Sequence, residues 1–260
     1  MRLRSNSQEI YINTISSIVL AGGKGVRMKS ELPKVLHPLC GKPLIGYVVD
    51  GLKTAGIDDI VVVVGYRGDD VIGFLGNKVR FVWQHEQLGT GHAVMQAEDL
   101  FRNHSGYVIV ACGDVPLITP ETFQALMRES EKDNTGAVVL TMIQDNPKGY
   151  GRIVKNDGKF VRIVEEKDAS DEQRRITEVN SGTYIFKTSL LFEGLKRITT
   201  ENAQGEYYLP DALEYIIESG RRVGTILLKD PVEGRGINTK EELVSLEQYV
   251  SQKNREERNE

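Results

Sequence analysis

Cysteine is scarce in this chain of 260 residues: there are two, Cys40 and Cys112. So few rule out a disulfide framework and point to a reducing, cytoplasmic setting. Histidine occurs four times. Neither His85 nor His92 has a Cys or an acid at metal spacing, so both are read as non-ligands, with His92 turned off its helix. No apolar run approaches the roughly 20 residues needed to cross a bilayer, and residues 1–14 lack the apolar centre of a signal peptide. There is no excess of positive charge. Thirty-three basic residues against 37 acidic give a net charge of −4, which argues against a general binder of nucleic acid or membrane. Internal repeats and low-complexity segments are absent. At 40% hydrophobic, the chain can bury a sizeable core as one large domain, or as a domain with an inserted lobe.

Apolar runs alternate with helical patterns. Candidate strands span 18–21, 60–64, 79–83, 108–111, 137–142, 183–186 and 223–228, while 45–52 and 91–101 read as helices. Thr119-Pro120-Glu121 offers an N-cap, a first-turn proline and an acid for another helix. This alternation predicts an α/β fold: a doubly wound, largely parallel mixed sheet with helices on both faces. Residues from about 145 to 182 break the rhythm with Asn146-Pro147, Gly149, Gly151, Gly158 and a charged run at 165–175. They are expected to form a small lobe over the ligand-binding edge of the sheet.

The most informative stretch runs from Ser17 through Leu20-Ala21-Gly22-Gly23-Lys24-Gly25 to Arg27, then Leu32-Pro33-Lys34. A buried strand breaks into glycines at its C-terminal end, where open α/β sheets bind ligands. Glycines let the backbone approach a ligand and aim N–H groups at phosphate oxygens, and Lys24, Arg27 and Lys34 add positive charge. A dinucleotide fingerprint would need glycine or alanine where Met28 stands. A P-loop would need Ser or Thr where Gly25 stands. On the loop alone, a phosphate cradle and a plain glycine turn with surface cations are both open.

Two further strand ends bear on that choice. Gln84 follows Val82-Trp83 and precedes Gly89-Thr90-Gly91, which opens a helix. A Gln there offers a donor and an acceptor to a pyrimidine edge, and Thr90 a cap or a ligand hydroxyl, though a solvated turn residue and a plain cap also fit. Asp114 in Cys112-Gly113-Asp114-Val115-Pro116 ends an apolar strand. Beside bound phosphates a carboxylate there suits Mg²⁺, a reading preferred to turn capping. No nucleophile with a paired base is visible, and the acid beside Cys112 should raise its pKa.

Taken in order, these motifs, with Glu86-Gln87-Leu88-Gly89, Gly149-Tyr150-Gly151-Arg152, Glu165 with Lys167, Asn180-Ser181-Gly182, Asn202-Ala203-Gln204-Gly205-Glu206-Tyr207-Tyr208 and Gly236-Ile237-Asn238, resemble the sugar-1-phosphate nucleotidylyltransferases. Within them the chain is most similar to the N-terminal half of the bifunctional N-acetylglucosamine-1-phosphate uridyltransferases, from about Ser16 to Val250. The resemblance implies a Rossmann-like, GT-A-type nucleotidyltransferase domain over 16–238 with a sugar-binding lobe. On either side lie an N-terminal extension, 1–15, and a C-terminal helix with a charged tail, 239–260. It implies Mg²⁺-dependent transfer of uridylyl from UTP to N-acetylglucosamine 1-phosphate. Arg27, Lys34 and Asp114 would be catalytic, and Asp114 with Asn238 would hold Mg²⁺. The Ala21 and Gly22 backbone, Gln84 and Gly89 would hold uracil, with Thr90 beside them. Gly151, Glu165 and Asn180 would hold the amino sugar and ribose, and Leu20, Gly23, Lys24 and Gly113 complete the substrate-binding set.

Two departures stand out. Cys112 occupies a position where the relatives carry tyrosine. The hexapeptide repeats that carry acetyl transfer and trimer contacts in that family are missing from these residues, so the expectation is a monomer or weak dimer without acetyl transfer. The same chemistry on another sugar phosphate or nucleotide is a rival reading, and so is a non-catalytic nucleotide-sugar sensor. A sensor has no need of Lys34, Asp114 and Asn238 together.

Overall fold

Every residue of the run Ile60–Val64 is buried, as in a strand covered on both faces. It is the fourth of eleven strands in the computed structural model, which describes residues 14–256. The strands are β1 (Ile15–Ala21), β2 (Pro38–Leu39), β3 (Lys42–Pro43), β4 (Ile60–Val64), β5 (Arg80–Trp83), β6 (Tyr107–Cys112), β7 (Thr135–Ile143), β8 (Arg152–Asn156), β9 (Lys159–Val164), β10 (Glu178–Lys187) and β11 (Arg222–Leu227). The helices are α1 (Leu44–Thr54), α2 (Gly68–Leu75), α3 (Thr90–Met95), α4 (Glu98–Phe101), α5 (Pro120–Ser130), α6 (Thr188–Leu195), α7 (Ala212–Glu218) and α8 (Lys240–Glu256). Most of the expected extension, and 257–260 of the expected tail, lie outside the described residues.

The main sheet runs β11-β7-β10-β6-β1-β4-β5. β1 is parallel to β4 and β6, β4 to β5, and β7 to β11, while β10 is antiparallel to β6 and β7. Successive strand residues point to opposite faces. Val19, Val62 and Ile109 meet Val48, Val71 and Phe123 of α1, α2 and α5. Ile18, Val61 and Val110 meet Val94, Phe101, Leu191 and Leu213 of α3, α4, α6 and α7. The result is the expected three-layer, doubly wound arrangement.

Three local readings are revised. Residues 91–101 form two short helices, because Ala97 N–H bonds Val94 O and Leu100 N–H bonds Ala97 O in the tighter i→i+3 pattern. β10 begins at Glu178, so a lobe boundary at 182 falls inside a core strand. Within that strand Asn180-Ser181-Gly182 forms a register shift, with Gly182 at φ +79°. The β8–β9 hairpin pairs onto β10 through Arg152 and Val179, so it continues the sheet. The charged stretch from Gln252 to Glu256 continues α8. α8 turns Leu243, Leu246 and Val250 inward, against Met28, Leu39, Leu44 and Ile237. Thr119 Oγ1 accepts from Thr122 N–H at 3.2 Å, the expected cap of α5.

Candidate active site

Register decides which residues meet. Leu20 pairs with Cys112, Ala21 with Val64, and Val64 with Trp83. The residues that follow, Gly22, Gly65, Gln84 and Gly113, therefore sit side by side at the C-terminal edge of the sheet, where the helices leave a crevice. Glycine is needed there for closeness. A Cβ on Gly22 would stand 2.8 Å from Gln84 Oε1, and one on Gly65 would stand 2.6 Å from the Gly22 carbonyl oxygen. Beyond them Gly25 turns at φ +59°, and a Cβ there would stand 2.7 Å from that of Lys34. This is how the glycine loop folds back onto Lys34.

Lys34 begins the 3-10 turn Lys34–Leu36. Its ammonium contacts Asp114 Oδ2 directly and lies 3.1 Å from Asn238 Oδ1, across 204 residues of chain. Arg27 Nη2 donates to the same Asn238 oxygen at 2.8 Å. Two hydrogen-bonding systems bring Asn238 there. Ile237 N–H bonds Asp114 O at 3.0 Å. Glu242 accepts from Asn238 N–H at 2.6 Å and Thr239 N–H at 3.1 Å, while Thr239 Oγ1 accepts from Glu242 N–H at 3.2 Å, a capping box opening α8. Arg27, Lys34, Asp114 and Asn238 thus form one cluster. Other cations of the loop region go elsewhere: Lys24 lies over the Tyr66 ring at 5.6 Å, and Lys42 pairs with Asp50 at 2.7 Å.

Gln84 is 4% exposed. Its Nε2 donates to Gly89 O at 3.1 Å and lies 3.2 Å from His92 Nδ1. The chain at 207–209 clamps this turn: Tyr207 N–H bonds Leu88 O, and Gly91 N–H bonds Tyr207 O, each at 2.8 Å. Thr90 does not cap α3; its hydroxyl accepts from Leu209 N–H at 3.1 Å. Nor does His92 point off the helix, since its ring stacks on Tyr207 with centroids 6.3 Å apart.

Gly151, Glu165 and Asn180 come together on the hairpin side. Asn180 N–H bonds Gly151 O at 2.9 Å, and a Cβ on Gly151 would stand 3.1 Å from Glu165 Oε1. Asn180 Nδ2 donates to Tyr184 Oη at 2.5 Å. Arg152, fully buried, fixes the Gly151 turn through Glu166 at 2.5 Å and the Tyr150 carbonyl. Burial pushes the Glu165 carboxyl up to about 7, with Asp211 and Asp168 adding to it. Asp211 rises to about 6 through burial and then Glu214 and Asp168. These acids, with Asn202 and Tyr208, line a cleft of about 460 Å³. The Cys112 thiol, hydrogen-bonded to Gly182 O at 3.5 Å, is pushed up to about 12 by burial first and Asp114 second. No reactive thiolate forms there.

A family model, the MobA-like NTP transferase domain, matches residues 17–178. The chain belongs to that family. Two curated relatives are named "Bifunctional protein GlmU". The one from Halalkalibacterium halodurans is 46% identical over 238 residues, covering 91% of this chain and 52% of its own. That from Limosilactobacillus fermentum is 47% identical over 229 residues, covering 88% and 50%. This chain thus spans about half the length of these relatives. A solved structure of a Bacillus anthracis protein assigned as a glucose-1-phosphate thymidylyltransferase shares the fold, with a TM-score of 0.70 at 22% identity, covering 90% of this chain and 95% of that one.

Transferases of this family use a divalent metal. The donor set fits one: a carboxylate and an amide oxygen, Asp114 and Asn238, converge on a single positive charge, and such hard oxygens with few protein ligands suit an ion that keeps waters and phosphates. No cluster of three or more His, Cys, Asp or Glu side chains arranged for a metal occurs among the described residues. None of the described helices is long and apolar enough to cross a membrane. Sequence reasoning missed Glu242 and Asp211. Thr239-Lys240-Glu241-Glu242 carries a legible capping-box signal, whereas nothing near Asp211 in sequence signals that it faces Glu165.

Proposed function

We propose that this chain transfers a uridylyl group from UTP to N-acetylglucosamine 1-phosphate, giving UDP-N-acetylglucosamine and pyrophosphate. The observation that carries the reading is the cluster of Arg27, Lys34, Asp114 and Asn238 beside the Gly22–Gln84 notch. Charge for a triphosphate and a buried glutamine packed closely on a glycine, suited to a base edge, stand at one sheet edge. The GlmU relatives and the ordered motifs support the sugar and the nucleotide. Because both substrates are free, water-soluble phosphates, the work belongs in the cytoplasm.

In this reading uracil lies over the Ala21 and Gly22 backbone, with Gln84 and Gly89 at its edge. Arg27 and Lys34 neutralise the triphosphate, with Leu20, Gly23, Lys24 and Gly113 lining its path and Thr90 bracing the base turn. Mg²⁺ held by Asp114 and Asn238 supplies further charge neutralisation at the phosphates. Gly151, Glu165 and Asn180 hold the sugar. The sugar-phosphate oxygen forms a bond to the α-phosphorus as the bridging bond to the β-phosphate breaks, and pyrophosphate leaves with that electron pair. The attacking oxygen is already anionic, so alignment and charge matter more than a general base. UTP, dTTP, CTP and ATP assayed against N-acetylglucosamine 1-phosphate and glucose 1-phosphate, read by pyrophosphate release, test this. The expected result is turnover with UTP and the acetamido sugar at least roughly tenfold above the other pairs. Equal or better use of glucose 1-phosphate or dTTP would overturn the substrate assignment, and no release with any pair would overturn the catalytic one.

A further inference from the structure

The direction of the Gln84 carboxamide is set by its neighbours. Gly89 O lies 3.1 Å from Nε2, and a carbonyl oxygen only accepts, so the NH₂ end faces Gly89. The second amide hydrogen then meets His92 Nδ1 at 3.2 Å, a contact that is a hydrogen bond in the tautomer with its ring proton on Nε2. With both donors engaged, Gln84 has only Oε1 left for a ligand. That atom hangs over Gly22, 2.8 Å from where a Cβ would stand. The imidazole is itself fixed: it stacks on Tyr207, and Gln96 Nε2 donates to the His92 main-chain oxygen at 3.0 Å and lies 3.2 Å from ring Nε2. A neutral ring has one lone pair to give. We assign it to Nδ1 because Gln84 is the more deeply buried donor, while Gln96, half-buried, has its bond to the main chain.

We infer that His92 is a positioning residue for base choice: its Nδ1 lone pair, with the Gly89 carbonyl, holds Gln84 with an acceptor toward the pocket. Such a pocket selects a pyrimidine that offers a ring N–H there, uracil, over one that offers a bare ring nitrogen, cytosine. This rests on the uridylyl reading above. To admit cytosine Gln84 must turn over, which sets its oxygen against the Gly89 carbonyl oxygen and the His92 lone pair together. Those repulsions work against the wrong base as much as the hydrogen bond favours the right one. Removing the lone pair removes one of the two obstacles, so discrimination should fall without vanishing.

The test compares kcat/KM for UTP and for CTP in the wild type, His92→Leu and His92→Asn. Leu offers no acceptor, whereas Asn can place a carbonyl oxygen near the position of Nδ1. The UTP:CTP ratio is expected to fall roughly tenfold in His92→Leu, through KM more than kcat, and to return to within about threefold of wild type in His92→Asn. A wild type that discriminates and a His92→Leu that does so equally overturns the inference alone. Equal use of UTP and CTP by the wild type overturns the uridylyl reading and this inference with it. With only four histidines in the chain, ¹⁵N NMR of the wild type gives an independent measurement: His92 Nδ1 should show the shift of an unprotonated ring nitrogen, and a protonated Nδ1 sinks the proposal whether or not the variants fold.

Discussion

Glu165 and Asp211 are carboxyls that burial raises to about 7 and about 6, from ordinary values of 4.5 and 3.8. Raised folded-state values mean that the stability tied to these groups is fully present below about pH 4. It is lost as pH rises through 6 and 7, because the folded protein must then ionise acids that the unfolded chain ionises freely. Glu165→Gln keeps the shape and removes that cost. Its melting temperature should match wild type at pH 4 and exceed it by a few degrees at pH 8. An equal difference at both pH values would mean that Glu165 does not titrate in this window. Of this group, Glu165 and Asn180 were legible through the motif series. Asp211 was not, because its closeness to Glu165 depends on how Leu209–Asp211 packs under the hairpin.

At the scale of elements, the opening of α8 matters beyond its own stability. Glu242 accepts from Thr239 N–H and also from Asn238 N–H, so one carboxylate both caps the helix and sets the proposed metal ligand. Glu242→Ala should cost about 1 kcal/mol of stability as a lost cap. Leu246, 3% exposed against Met28 and Ile237, still docks the helix. The KM for Mg²⁺ should rise several-fold with kcat less affected, measured by pyrophosphate release against Mg²⁺ concentration. An unchanged Mg²⁺ dependence would show that the Ile237–Asp114 backbone bond alone suffices. The strands of the sheet were legible because continuous β-branched runs such as Ile60–Val64 leave little alternative. The true extent of β10 was hidden, since Asn180-Ser181-Gly182 forms its bonds through a register shift that has no periodic signature. The break between α3 and α4 was hidden for a related reason: no proline or glycine marks it.

Across the whole molecule, the proposed phosphate and sugar sides differ in charge. Arg27 and Lys34 gather at the ends of β1 and β6, while Glu165, Asp168 and Asp211 line the hairpin side. The sequence order of Arg27, Lys34, Asp114 and Asn238 marks them as candidates by resemblance, but the ammonium of Lys34 resting on both proposed metal ligands can only be seen in three dimensions. That contact bears on metal binding. One carboxylate and one neutral amide give the ion a single protein charge, and in the free protein Lys34 already occupies both oxygens. Triphosphate oxygens would draw Lys34 away and add the missing negative charge at the same time. Mg²⁺ should therefore bind the protein weakly alone and at least roughly tenfold more tightly with UTP present, as calorimetry of the two titrations would read. Asp114→Asn should abolish that enhancement and lower turnover by about two orders of magnitude or more with the melting temperature little changed. Tight Mg²⁺ binding without nucleotide, or near-normal turnover of Asp114→Asn at saturating Mg²⁺, would mean that the ion sits elsewhere.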